Sequence, residues 1–265
     1  MRLLGVLVAV VLVAAACSSD ASTSDSPDTT AADAAGASGT SATIGDQTLA
    51  GIDLSQHDVP LGDIVFDTFD GGSAPLDEVS ADLVVSLLDA IPPLDDPPYV
   101  LPQEDPWLEP DELILGVVAS DGTAYAHPHR ILNFHEIVNV TFDGEPLLIS
   151  YCPLCGSGVV YDRRVDGQEL TFGNSSALYE NDLVMVDRQT TTYWWQVAGR
   201  GIVGTLTGVT LDPVASTTTT WDKWLAGHPE SLVLSRDLGF GNSYARDPFV
   251  GYAERVDDGN TPFPV

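Results

Sequence analysis

Two cysteines spaced two residues apart are the side chains of this sequence best suited to chemistry. They lie in the segment Cys152-Pro-Leu-Cys155-Gly156, directly after the largely apolar run Pro146–Tyr151. A tight turn with this spacing brings two thiolates together with backbone N–H groups directed at sulfur, and glycine accepts the left-handed conformation that such a turn needs. The spacing therefore predicts a metal-binding turn. Its remaining ligands must come from other residue types, because the chain has no second cysteine pair.

Three histidines lie just upstream and are the candidates to complete this site. In a strand, His127 and His129 would point to the same face. His135 is followed by Glu136, a carboxyl group of the kind that fixes the second nitrogen of a metal-bound imidazole. Thiolate and imidazole together suit copper or zinc, and we expect one such ion, with redox or metal-assisted chemistry on a small solute. The expected metal ligands are Cys152, Cys155, His135, His127 and His129.

The same residues also fit a thiol enzyme. Cys152 would be the nucleophile, His135 its base, and Glu136 the group that orients the base. Arg163 and Arg188 end two predicted strands, and their guanidinium groups would bind the carboxylate or phosphate of a small-molecule substrate beside the cysteines. The alternative for these arginines is ion pairing with neighbouring aspartates.

A third possibility is a non-catalytic binding domain in which Cys152 and Cys155 form a structural disulfide, as thiols of exported proteins do. A thioredoxin-type dithiol is disfavoured, because that chemistry places its first cysteine at a helix N-terminus. The residues after Cys155 predict a turn followed by a strand instead.

The elements that must position these residues are mostly strands. Asp-Gly pairs at 121–122, 143–144 and 166–167 separate apolar runs, as in tight hairpins. Apolar periodicity predicts helices over Leu76–Ala90 and Thr220–Ala226. The composition and pattern predict an α+β fold, predominantly antiparallel β-sheet with a few short helices, in a single domain. The predicted strands are Leu113–Ala119, Ala124–His127, Leu147–Tyr151, Val159–Arg163, Glu169–Phe172, Leu183–Val186 and Thr191–Val197.

The N-terminal segment predicts export. Residues 1–16 combine one positive charge, an apolar run and small residues, which is typical of a signal peptide. Cys17 follows in a sequence that resembles a lipobox, so we expect this cysteine to be lipidated. The rest of residues 17–50 is rich in small and acidic residues and predicts a disordered linker before a folded domain at 51–265. The expected location is the outer face of the cell membrane, with the membrane as partner through Cys17.

The charge of the chain excludes one class of partner. The sequence has 10 Lys and Arg against 39 Asp and Glu, a net charge of −29. Between Gly51 and His129 there are 17 acids and no Lys or Arg. A field this negative repels phosphate backbones, so nucleic acid is not an expected partner. The basic residues that do occur after Arg2 begin at Arg130, and the range 130–188 encloses both cysteines of the turn.

Six segments occurring in a fixed order resemble the bacterial and archaeal domain of unknown function numbered 3179. The resemblance covers about residues 112–234 and implies an often exported domain with no activity to carry over. In that family the second cysteine is often threonine, which favours Cys152 with His135 and Glu136, and a tyrosine is usual at His127. The segments are Ala124–Pro128, Phe134–Asn139, Ser150–Ser157, Leu170–Gly173, Asp182–Arg188 and Trp221–Trp224.

Overall fold

The structure, a computed structural model, describes residues 48–241 and 244–252. The predicted signal peptide, Cys17 and the linker up to residue 47 lie outside the described residues. The three described helices have seven residues each, and none is long and apolar enough to cross a membrane. They are α1 (Ala81–Leu87), α2 (His129–His135) and α3 (Trp221–Gly227), with a short 3-10 turn at Leu61–Asp63.

Strands make up most of the regular structure in this part of the chain. Most are short, and the longest, β10 and β14, have eight residues. The strands are β1 (Thr48–Leu49), β2 (Ile52–Asp53), β3 (Val65–Asp67), β4 (Ser73–Pro75), β5 (Leu94–Asp95), β6 (Tyr99–Val100), β7 (Leu113–Val118), β8 (Ala124–Pro128), β9 (Ile137–Phe142), β10 (Glu145–Cys152), β11 (Ser157–Asp162), β12 (Arg164–Val165), β13 (Gln168–Glu169), β14 (Phe172–Tyr179), β15 (Asp182–Asp187), β16 (Tyr193–Trp195), β17 (Arg200–Val203), β18 (Asp212–Val214), β19 (Ser216–Thr220) and β20 (Leu232–Leu234).

Three sheets hold most of these strands. The six-stranded sheet has the order β17-β16-β15-β14-β3-β4, the middle sheet β18-β11-β10-β9-β5, and the third sheet β19-β7-β8-β20-β6. The strand pairs are antiparallel except β5 with β9 and β20 with β8. Two small hairpins, β1-β2 and β12-β13, complete the set. This confirms the predicted α+β class dominated by antiparallel sheet.

The middle sheet is buried on both faces. One apolar core lies between it and the third sheet together with α2, and another lies between it and the six-stranded sheet. Leu147, Ile149 and Tyr151 of β10 belong to the first core, whereas Leu148 and Cys152 belong to the second. A strand that is covered on both faces has a nearly continuous apolar sequence, as β10 does. Strand alternation therefore places Cys152 opposite the six-stranded sheet and Tyr151 on the other side.

One predicted helix differs from the structure in its extent, and one helix of the structure was not predicted. The predicted helix Leu76–Ala90 is wrong in extent, because residues 76–78 form a turn after β4 and the helix spans only Ala81–Leu87. The Ser80 hydroxyl accepts a hydrogen bond from the backbone N–H of Leu83 at 3.2 Å, which caps that start. Helix α2 was not predicted. Leu76 is nevertheless buried with Val84 and Leu87 in a further apolar core on the six-stranded sheet, beside the helix that it does not join.

Candidate metal site at the cysteine turn

The two cysteines lie where the middle sheet faces the six-stranded sheet. Cys152 ends β10 and is buried, and Cys155 is exposed in the turn that leads to β11. Cys152 pairs with Ser157 across the hairpin, which closes the turn. Gly156 has a φ of 64°, the left-handed conformation expected from its position. Both cysteines are free thiols, so the structural disulfide is not formed in this structure.

Asp182 joins the cysteines from the opposite sheet. It is the first residue of β15 and is buried, with 3% of its surface exposed. Its Oδ1 accepts a hydrogen bond from Cys155 Sγ at 3.0 Å, and its Oδ2 accepts one from the backbone N–H of Val197 at 2.9 Å. One ligand atom of each of Cys152, Cys155 and Asp182 lies within 4.8 Å of the others. These three residues could hold a metal ion.

A chain of hydrogen bonds holds the turn in place. The Ser157 hydroxyl lies 3.0 Å from Cys155 Sγ and donates to Gln196 Oε1 at 3.0 Å. Gln196 Nε2 donates to Ser150 Oγ at 3.0 Å, and Ser150 in turn donates to the carbonyl of Val159 at 2.9 Å. The chain joins β10, β11 and the residue after β16. It fixes the side chains around the ligand group before any ion arrives.

The surroundings of the ligand group favour the neutral, protonated forms of Cys152 and Asp182. A hydrogen bond with Cys155 and burial raise the pKa of Cys152 well above its usual range, whereas the Cys152 thiol lowers the pKa of Cys155. Burial raises the pKa of Asp182. None of the ion pairs found among residues 48–241 and 244–252 includes Asp182. A bound cation would supply the positive charge that this buried group lacks.

Glu136 lies in the same gap between the sheets. It follows α2 with a φ of 58°, a left-handed conformation that is unusual for a residue with a side chain. Its Oε2 accepts a hydrogen bond from Asn174 Nδ2 at 2.6 Å, and 7% of its surface is exposed. Burial raises its pKa to about 8, and the Asp182 carboxylate adds to that effect. Glu136 is thus near the ligand group, but its hydrogen-bond partner is Asn174 rather than a histidine.

His135 does not join the cysteines. Its Nδ1 donates to the carbonyl of Pro92 at 2.8 Å, and its Nε2 accepts a hydrogen bond from the Tyr244 hydroxyl at 2.7 Å. Burial lowers its pKa. With both ring nitrogens engaged, His135 is neither a metal ligand nor the base of Cys152 in this arrangement. The expectation that placed it in the site is corrected by these two contacts.

His127 and His129 are also outside the ligand group. His127 lies in β8, where its Nδ1 donates to the carbonyl of Leu115 at 3.0 Å and its Nε2 accepts from the Tyr99 hydroxyl at 2.8 Å. His129 is the first residue of α2, so the prediction that the two share a strand face is wrong. Its ring centre lies 4.3 Å from that of Tyr151, on the opposite face of β10 from Cys152. Burial lowers the pKa of both histidines to about 4.

The two arginines expected beside the cysteines lie at the other ends of their strands. The backbone N–H of Arg163 donates to the carbonyl of Pro146. Pro146 lies six residues from Cys152 along β10, a distance of about 20 Å between the two residues. Arg188 follows β15, six residues from Asp182 and therefore also about 20 Å away. Each guanidinium is paired with a carboxylate, Arg163 with Glu169 and Arg188 with Asp89. The structure thus shows ion pairing for both arginines, but with Glu169 and the distant Asp89 rather than with the neighbouring aspartates.

A family model described as a protein of unknown function (DUF3179) matches residues 88–265. That range contains both cysteines of the turn, Asp182 and Glu136, and it includes residues 112–234. No curated protein and no solved structure matches the chain.

Proposed function

Because the chain belongs to the DUF3179 family, whose description assigns no activity, we propose a function from the site itself. The chain binds one zinc ion through Cys152, Cys155 and Asp182. The observation that carries this proposal is the close grouping of three ligand atoms within 4.8 Å. Two thiolates bound to one tetrahedral zinc lie about 3.8 Å apart, a spacing that this grouping accommodates.

Zinc fits these ligands better than copper does. Thiolate and carboxylate are both ordinary zinc ligands, whereas the hard carboxylate is a poor ligand for the Cu(I) that thiolates select, and Cu(II) sites with thiolate also use imidazole. No imidazole belongs to the ligand group found in the described part of the chain. Copper was an equal candidate while His135 was expected among the ligands, and the contacts of His135 remove that reason.

A metal held here would keep one position for a small molecule. Three protein ligands with one open position are the arrangement of catalytic zinc sites, whereas structural sites use four protein ligands. Cys155 is exposed, so the site faces solvent on that side. We therefore propose metal-assisted chemistry on a small solute as the activity of the site. A thiol enzyme is less well supported, because Cys152 is 1% exposed and both ring nitrogens of His135, its expected base, are engaged by Pro92 and Tyr244.

Metal analysis tests the proposal. The full chain carrying Cys17→Ser, which prevents lipidation, is purified under reducing conditions without chelator, and zinc per chain is measured by elemental analysis. About one zinc per chain is expected, with most of it lost in Cys152→Ser and Asp182→Asn. Asp187→Asn is the matched control, because it makes the same change at the far end of β15. His135→Gln should also keep its zinc.

Two results would overturn the zinc proposal. One is a protein that contains no metal and takes up none when zinc is added to the reduced thiols. The other is full retention of zinc in Asp182→Asn, which would mean that the carboxylate is not a ligand. Thiol counting on the same samples distinguishes a metal-free dithiol from a Cys152–Cys155 disulfide.

We also propose that the chain is exported and tethered. The support is the sequence of residues 1–17 alone, in which a signal-like run ends at Cys17. The wild-type chain should be recovered with the membrane fraction, and Cys17→Ser should shift it to the soluble extracytoplasmic fraction. Recovery of both forms in the cytoplasm would refute this proposal.

A further inference from the structure

A cavity of about 270 Å³ lies beside the cysteine turn. Leu154, which separates the two cysteines in sequence, forms part of its wall. The other apolar walls include Phe69, Ile91, Leu178 and Phe249. This volume is slightly below the ~300 Å³ at which pockets for drug-sized ligands begin, so the cavity suits a smaller molecule.

The polar groups of the cavity are acidic or neutral. Glu136, Asn174 and Ser176 are the buried polar residues that line it, and the partly exposed Asp67 and Tyr252 line it as well. No Lys, Arg or His occurs among its described lining residues. The cavity therefore offers negative and neutral groups to a ligand and no positive one.

The Glu136 carboxyl group is held rigidly toward its partners. Asn174 donates to it at 2.6 Å, and the Asn174 side chain is itself fixed, because its Oδ1 accepts the backbone N–H of Ser176 at 2.7 Å. The backbone N–H of Asn174 donates to Asp89 at 3.0 Å. Groups placed in this way need little rearrangement when a ligand arrives, which favours binding.

We propose that this cavity binds a small organic cation, an amine on an apolar body, with its ammonium group at Glu136. Charge complementarity carries the assignment, since two carboxyl groups and no base line the cavity of a chain with a net charge of −29. The apolar body packs against Phe69 and Phe249, and aromatic rings also attract cations. An anion would meet repulsion from Asp67 and would find no positive partner in the cavity. Burial favours the protonated Glu136 carboxyl group in the free protein, and an ammonium group placed beside it would favour the ionised form instead. The inference does not depend on a metal at the cysteine turn.

Three probes of similar shape and different charge test this assignment. Binding of 2-phenylethylamine, 2-phenylethanol and phenylacetate to the full Cys17→Ser chain is measured by titration calorimetry, with and without zinc. The amine should bind at least about tenfold more tightly than the alcohol, as expected for a hydrogen bond to a charged group. Phenylacetate should not bind measurably.

Variants show whether Glu136 is the recognising group. Glu136→Gln keeps an oxygen for the Asn174 amide and should weaken amine binding about tenfold or more, with alcohol binding unchanged. Asp67→Asn should weaken the amine by a smaller factor. Glu109→Gln is the matched control, because Glu109 is exposed and does not line the cavity.

Equal binding of amine and alcohol would overturn the proposal, as would full amine affinity in folded Glu136→Gln or no binding of any probe. Circular dichroism establishes folding of each variant. If the protein takes up no zinc but binds the amine, the zinc proposal is wrong and the amine proposal is supported.

Discussion

Replacing Glu136 by glutamine should make the protein more stable at alkaline pH. Burial raises the pKa of this carboxyl group from its ordinary 4.5 to about 8. Between these values the folded chain holds a proton that the unfolded chain has released. The free energy of unfolding contributed by this group is therefore fully present below about pH 4.5 and is lost as the pH rises through about 8. Glutamine does not titrate and keeps an acceptor for the Asn174 amide.

The size of the effect follows from the difference between the two pKa values. The gap from 4.5 to about 8 is 3.5 pH units, and at about 1.36 kcal/mol per unit the limit is about 5 kcal/mol. That is comparable with the total stability of many domains, which is about 5–15 kcal/mol.

Urea unfolding at about pH 5 and about pH 9 measures this difference on zinc-free, reduced protein. Wild type should lose stability relative to Glu136→Gln between the two pH values, by up to about 5 kcal/mol. Glu109→Gln, a change at an exposed glutamate, should follow wild type. Parallel pH profiles for wild type and Glu136→Gln would refute the reasoning, since they would mean that Glu136 titrates alike in the folded and unfolded chains.

Two further predictions concern the packing of the sheets. Burial lowers the pKa of His127 from 6.5 to about 4, so this group reduces the free energy of unfolding as the pH falls through this range. Between pH 7 and pH 4, the free energy of unfolding of His127→Gln, measured with urea, should fall by up to about 3 kcal/mol less than that of wild type. A Cβ at Gly116 would lie 2.5 to 2.7 Å from ring atoms of Trp224, so Gly116→Ala should lower the free energy of unfolding by about 1–3 kcal/mol. Gly227→Ala, where a Cβ meets nothing within 4 Å, should cost far less, and equal costs would contradict the packing argument.

The strands and the cysteine turn are the parts that local sequence predicts well. The apolar run Leu147–Tyr151 predicts β10, and Asp143 and Gly144 before it adopt the positive φ values of 47° and 78° that a tight hairpin requires. The partner strand β9 and most of β14 were not among the predicted strands. The turn at Cys152 depends only on residues two to four positions apart. Its left-handed Gly156 was therefore predictable from spacing.

The third proposed ligand was not predictable in the same way. Asp182 is one of 39 acids, and it meets Cys155 only because β15 packs across the gap from β10. Its segment was noted in the family resemblance, but nothing local distinguished it as a ligand. His135 shows the converse, because the Tyr244 hydroxyl that occupies its Nε2 lies 109 residues away in sequence. Sequence spacing carries no information about such contacts, which depend on how the sheets stack.

The charge pattern had a similar limit. The range between Arg130 and Arg188 does contain the cysteines, but strand direction places Arg163 and Arg188 at the ends remote from them. The positions of Arg163 and Arg188 along the chain indicate the hairpins to which they belong. Only the pairing register of those hairpins shows that each arginine lies at the end remote from the cysteines.

X-ray absorption at the zinc edge tests the central claim most directly. On the zinc-loaded Cys17→Ser chain, we predict two sulfur neighbours at about 2.3 Å and the remaining neighbours oxygen at about 2.0–2.2 Å, without the outer-shell scattering of imidazole. Asp182→Asn should change the oxygen shell and leave the sulfur count at two wherever zinc remains bound. A spectrum with an imidazole ligand, or with sulfur counts other than two, would contradict the site formed by Cys152, Cys155 and Asp182.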